Sequence, residues 1–325
     1  MSSISVNGML NTAIVNNIGG LREQLEARGE EATTGFQSDL VQHLNGRIDQ
    51  ALLGERAIQD NQDEQSRLGL RSIRLSLTDS TLTSVRELTE GLQIGMLGAL
   101  GTGEVEAQDL FATEARTALD DVLSRMNARN GERFLFSGDA TATSPFGTAD
   151  ELLADIRTIA QGATDEADFA AQLDTYFDDP AGGFQTNFYR GAQTASDADS
   201  VVGNQTAFSD VFRGLAVMAL SRTSESVPFV GAGSPAMDTA LQRLERGRTE
   251  LVNIQAGVGM RRANIANEQE LLSRELTLLN QAFTDLAGKD QYEAATQLRE
   301  LEANLEASYL LTTRLSNLSI TNYLR

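Results

Sequence analysis

IDQALLGERAIQDNQDEQSRLGLRSIRLSLTDSTLTSVRELTEGLQIGMLGAL, residues 48–100, contains no proline. It places apolar residues at Ile48, Leu52, Ile58, Leu68, Ile73, Leu82, Val85, Leu88, Leu92 and Met96. The later steps are three and four residues, the spacing that keeps one stripe of a helix against one partner. Gly54, Gly69, Gly91 and Gly95 weaken the run without stopping it. At a rise of 1.5 Å per residue such a helix reaches about 80 Å. That exceeds a compact globular core and predicts a rod.

Outward from this stretch the same grammar returns. Residues 105–128 carry Leu110, Phe111, Ala115, Leu119, Val122 and Met126 on one face. Towards the C-terminus Met237, Leu241, Leu244, Leu251, Val258, Ile265, Leu272, Leu279 and Leu286 form a long stripe. Leu298, Leu301, Leu305, Leu311, Leu315 and Leu318 then carry it almost to the last residue. Stripes this narrow cannot bury themselves in an isolated helix and need partners. The middle differs. Asn130-Gly131 is a turn dipeptide, RFLFS (133–137) and FQTNFY (184–189) read as short strands, and helices are expected over 149–160, 166–177 and 207–220. The fold expected is mainly α: a long antiparallel coiled-coil-like helical rod built from N- and C-terminal segments, with a small α+β insertion.

Composition narrows the function. The 325 residues carry 46 acids and 26 bases, a formal charge of -20. Such a surface repels phosphate backbones and anionic lipid, so neither nucleic acid nor membrane is an expected partner. No cysteine is present, which removes disulfides, thiolate metal sites and cysteine nucleophiles. One histidine, His43, leaves little material for acid–base chemistry near neutral pH. The N-terminus lacks the basic and apolar regions of a secretory signal, and no apolar run is long enough to span a bilayer.

Two stretches carry the residue types of a chemical motif. GAGSPA (231–236) fits the loose G-x-G-x-x-A dinucleotide fingerprint, with Glu250 downstream. A Rossmann unit also needs a second parallel strand about 30 residues on, where the sequence reads as amphipathic helix. A loop before a helix is the expected outcome. His43 with Asp39 and Ser38 has the residue types of a catalytic triad, but the three are too close in sequence to converge from separate elements. No catalytic, cofactor-binding or metal-ligating residues are assigned, and the chain is read as a non-enzyme.

Several segments in order resemble one family. FLFSG (134–138) leading into Pro145-Phe146, Tyr189-Arg190-Gly191, Gln255-Ala256-Gly257 before Asn264, and the ending from Tyr292-Glu293-Ala294 to Tyr323-Leu324 are similar to segments of bacterial flagellins and their hook-associated relatives. Within that superfamily they most resemble the hook-associated protein 3 family, the subunits of the hook–filament junction. Thr34-Gly35 is followed here by Phe36-Gln37-Ser38-Asp39 without the proline common in that family.

The resemblance implies a structural subunit of the bacterial flagellum, extracellular and exported by the flagellar type III apparatus without a cleaved signal. Its implied partners are other copies of itself, hook-associated protein 1, flagellin and an export chaperone. The implied organisation is in three parts. Residues 1–45 with 285–325 would be assembly helices that order only beside neighbours, 46–129 with 207–284 the helical rod, and 130–206 a variable α+β domain. Leu21, Leu25, Leu298, Leu305, Leu315 and Leu318 are the expected seam of the assembly helices. Two alternatives stay open: flagellin itself, and an intracellular coiled-coil adaptor whose termini would be ordered in isolation.

Overall fold

The computed structural model describes the backbone of residues 3–44 and 46–323, and the side chains of residues 12–13, 15–44 and 46–314. Helix accounts for 77% of the chain, and the sheet among the described residues is one antiparallel pair of two-residue strands. The class is therefore mainly α, with long helices and a small insertion, as expected. The chain divides into two compact units, residues 1–66 with 270–325 and residues 67–269. The helices are α1 (Ser3–Thr34), α2 (Leu40–Leu44), α3 (Ile48–Thr102), α4 (Val105–Met126), α5 (Ala149–Gly162), α6 (Glu166–Asp178), α7 (Thr206–Leu220), α8 (Pro235–Ala287) and α9 (Gln291–Tyr323). The hairpin pairs β1 (Arg129–Asn130) with β2 (Arg133–Phe134).

In the unit 67–269, α3 buries Leu68, Leu75, Leu82, Thr89 and Met96 at strict seven-residue steps. The α8 helix buries Met237, Leu244, Leu251, Val258 and Ile265 in the same way. A seven-residue repeat keeps both seams facing one another along the helices. Polar rungs set the antiparallel register. Gln93 Nε2 donates to the Leu241 carbonyl at 3.2 Å, Gln255 Nε2 to Thr83 Oγ1 at 2.8 Å, and Arg262 pairs with Asp79 at 2.8 Å. Gln93 is buried, and its Oε1 accepts from Arg248 at 2.8 Å. A shift of register would strand the buried Gln93 amide and the Leu241 carbonyl, which is costly where the seam is closed to water.

The insertion is built on α7, whose residues 207–220 are buried on every face, the mark of a core helix. Phe212 is its hub. The ring of Phe146 lies 4.9 Å away, Phe188 5.9 Å and Phe184 6.1 Å. The Tyr189 ring lies tilted against Phe146 at 5.5 Å, and its hydroxyl donates to the Ala192 carbonyl at 2.8 Å. Burial pushes that phenol up to about 12, so it remains a neutral donor.

FQTNFY is not a strand. Phe184–Phe188 form one wide helical turn closed by the Tyr189 amide on the Phe184 carbonyl at 2.8 Å. In a strand Phe188 and Tyr189 would point to opposite faces, whereas this turn buries Phe184, Phe188 and Tyr189 in one core. RFLFS holds only in part: pairing covers Arg133–Phe134 and reappears as a single bridge from Ser137 to Val202. Short helices are capped locally. Thr148 and Glu151 form a reciprocal capping box at α5, and Asp165 accepts from the Asp168 amide at 2.9 Å at α6.

Buried charge in α7 is paired. Asp210 accepts from Arg246 Nε at 2.5 Å, Arg246 Nη2 at 2.7 Å and Arg243 Nη1 at 3.2 Å. Arg213 donates to Asp174 at 2.6 Å. Gly214 lets α7 and α8 approach, for a Cβ there would lie 2.9 Å from Leu244 Cβ and 3.0 Å from the Ala240 carbonyl oxygen. Gly214→Ala is expected to cost about 1–2 kcal/mol, overpacking outweighing the gain in helix propensity. A denaturation midpoint equal to wild type would show that the helices part freely.

Candidate assembly surface

In the unit formed by 1–66 with 270–325, α1 and α9 pack antiparallel: Arg22 meets Tyr309, Gly29 meets Leu298, and Gln291 reaches back to Thr33. Arg22 donates to the Tyr309 hydroxyl from Nε at 3.0 Å and Nη2 at 2.5 Å. Leu21, Leu25, Leu298 and Leu305 are all half-buried. The side chains of Leu315 and Leu318 lie outside the described residues. A pair of helices covers only part of each apolar stripe, which is why these leucines stop at half burial. Beyond them, Leu310 and Leu311 stand 58% and 59% exposed on the same helix.

The turn 35–39 closes the pair against the α8–α9 connection. The Gln37 amide donates to the Ala287 carbonyl at 3.0 Å and the Lys289 amide to the Gly35 carbonyl at 2.8 Å. Phe36 meets Phe283 edge to face at 5.5 Å. Gly35 adopts φ +78° at the end of α1, a left-handed conformation that glycine takes without steric cost.

Glu31 organises this turn and was missed by sequence reading, because nothing in a helical run marks one glutamate for burial. Its carboxylate is buried, accepts from the Ser38 amide at 3.2 Å and the Ser38 hydroxyl at 3.0 Å, and pairs with Arg28. Burial pushes its pKa up, but the Ser38 donors and Arg28 outweigh it and hold the group below the ordinary glutamate value. A depressed native pKa gives stability that is present above the unfolded-state value and lost as pH falls through the native one. The 35–39 turn is therefore expected to loosen in acid. Glu31→Gln should cost about 1–2 kcal/mol locally, so amide exchange at Gln37 and Lys289 at neutral pH should quicken by about 5- to 30-fold. Unchanged protection there would remove Glu31 from this role.

The residues weighed for chemistry do not converge. Asp39 accepts from the Gln42 amide at 2.9 Å at the start of α2, Ser38 is engaged by Glu31, and His43 is exposed. GAGSPA is a turn: the Ser234 amide donates to the Gly231 carbonyl at 3.1 Å, and Ser234 Oγ accepts from the Met237 amide at 3.2 Å. Glu250 lies within α8, where a Rossmann unit would need strand. Among the described residues no group of His, Asp and Glu is placed to hold a metal ion, and no helix is long and apolar enough to cross a membrane.

Exposed apolar side chains are confined instead to the long helices and their connections. All twenty large hydrophobic residues that stand exposed among the described residues fall within 15–110 and 252–311, and none within 111–251. The insertion thus presents a wetted surface, while the helical framework presents apolar side chains that stand exposed among the described residues.

Residues 236–324 match the bacterial flagellin C-terminal helical region. Curated protein sequences give no match. Among solved structures, Bacillus cereus FlgL is 16% identical with a TM-score of 0.45, over 71% of this chain and 96% of that one. A protein described as flagellar hook-associated, from Vibrio parahaemolyticus, is 15% identical with a TM-score of 0.47, over 73% of this chain and 95% of that one. Through its C-terminal helical region the chain resembles the bacterial flagellin superfamily.

Proposed function

We propose that this chain is a structural, non-catalytic subunit of the bacterial flagellum, seated at the junction between hook and filament. The observation that carries the reading is the confinement of exposed apolar residues to 15–110 and 252–311. It is joined by the flagellin-type helical region over 236–324 and the ordered likeness to hook-associated protein 3. In this reading residues 1–45 with 285–325 are the assembly helices. Leu21, Leu25, Leu298, Leu305, Leu315 and Leu318 form the seam that neighbouring copies complete. Residues 46–129 with 207–284 form the helical body, and 130–206 the solvent-facing domain. A half-covered two-helix stripe offsets little chain entropy by itself, so ordering of the termini and assembly are coupled. The subunit reaches its place by flagellar export, with a chaperone covering the stripes before assembly, and it works outside the cell between hook-associated protein 1 and flagellin.

The test is addition of the purified chain to isolated hooks that end in hook-associated protein 1. A thin layer that saturates and then accepts flagellin is the expected result. Growth of long filaments from this chain alone would make it the filament subunit, and a stable soluble dimer indifferent to hooks would make it an intracellular adaptor. Limited proteolysis of the monomer should remove about 40 residues from each end, as unfolded termini are cut first.

A further inference from the structure

The pair α3–α4 within 67–269 is electrically polarised along its length. The two helices run antiparallel: Gln108 donates to the Ala99 carbonyl, Phe111 lies against Gly95, and Leu88 and Leu92 share one groove with Thr117 and Asp121. One end, residues 67–86 with 122–134, holds seven arginines (67, 71, 74, 86, 125, 129, 133) against Asp79 and Glu132. The other end, residues 87–121, holds eight acids (87, 90, 104, 106, 109, 114, 120, 121) against Arg116 alone. Asp197 and Asp199 offset part of the basic end by pairing with Arg71, Arg74 and Arg133. Arg248 and Arg116 engage Glu90 and Asp120 at the acidic end.

Five carboxylates at the acidic end, Glu87, Glu104, Glu106, Glu114 and Asp121, make no ion pair or hydrogen bond among the described residues. Each end also carries exposed apolar residues: Leu70, Ile73 and Leu77 at the basic end, and Ile94, Leu97, Val105 and Leu110 at the acidic end. Leu70 and Leu97, one in each patch, are roughly 40 Å apart along α3, several Debye lengths, so the charges gathered round them do not neutralise one another within a molecule.

We propose that these two ends are complementary contact surfaces between copies of the chain. The acidic, apolar end of one copy (Glu104, Glu106, Glu114 around Leu97 and Leu110) meets the basic, apolar end of the next (Arg67, Arg125, Arg129 around Leu70 and Leu77). The two patches differ, so the contact is heterologous and repeats from copy to copy rather than closing a pair. Charge sets partner and direction, while the leucines supply the apolar burial. The inference rests on the self-assembly reading above and names which surfaces it uses.

The test uses two full-length variants: Glu104→Arg/Glu106→Arg/Glu114→Arg, basic at both ends, and Arg67→Glu/Arg125→Glu/Arg129→Glu, acidic at both ends. Circular dichroism confirms folding, and the carboxylate variant, altered only at exposed side chains without partners, keeps the test open if the arginine variant does not fold. Self-association is read by sedimentation velocity. Each variant alone should associate at least about tenfold more weakly than wild type, and an equimolar mixture should recover association. A carboxylate variant that assembles like wild type overturns the proposal while leaving self-assembly standing. A wild-type chain that stays monomeric in solution and adds no layer to isolated hooks overturns both.

Discussion

Phe212→Ala should cost about 3–5 kcal/mol of stability, and the loss should be confined to the unit 67–269. The ring lies in edge or tilted contact with Phe146, Phe184 and Phe188 and is 1% exposed. Its removal leaves a cavity in the middle of three aromatic neighbours drawn from two segments, the loop at Phe146 and the turn Phe184–Phe188. The wide turn Phe184–Phe188 and the Phe146–Tyr189 bridge place the rings of Phe184, Phe188 and Phe146 directly against Phe212, so their amides should lose protection first. Leu70→Ala, at an exposed stripe on α3, is the matched control and should move stability by no more than about 0.5 kcal/mol. Chemical denaturation of both variants decides it. Equal midpoints would mean that the aromatic cluster is peripheral to folding.

Leu305→Asp should leave the unit 67–269 folded and yet reduce incorporation into assembled structures by at least about 30-fold. Leu305 is half-buried on α9, so a carboxylate there loses apolar contact and must be desolvated in any assembly that completes the seam. Leu310→Asp, on the exposed part of the same helix, separates the two effects. If copies meet through the outer face of α9, it blocks assembly without disturbing the α1–α9 pair. Amide exchange along α1 reports the pair and electron microscopy the assembly. Normal assembled structures from Leu305→Asp would remove the terminal seam from the mechanism.

Much of the framework was legible because helical periodicity is local. The long proline-free stripes led to α3, α4, α8 and α9, and turn chemistry around Asn130-Gly131 and Pro145 marked where the insertion begins. The likeness at the chain ends also anticipated the flagellin-type region over 236–324. FQTNFY failed for a physical reason: alternation over six residues is compatible with a strand or one wide turn, and the choice depends on where Phe146 and Phe212 stand. Glu31 escaped because its partner Ser38 lies across a reversal set by Gly35.

By itself the sequence determined that this protein is helical at both ends, acidic, free of thiol chemistry and provided with more apolar stripe than one chain can bury. The tertiary structure decided which stripe is which. Leu68, Leu75 and Leu82 are fully buried, while Leu70, Ile73 and Leu77 on the same helix stand exposed. Both sets have helical spacing, so periodicity cannot rank them. Only packing against α8 takes one set out of water and leaves the other for a partner, because burial is a property of neighbours rather than of spacing.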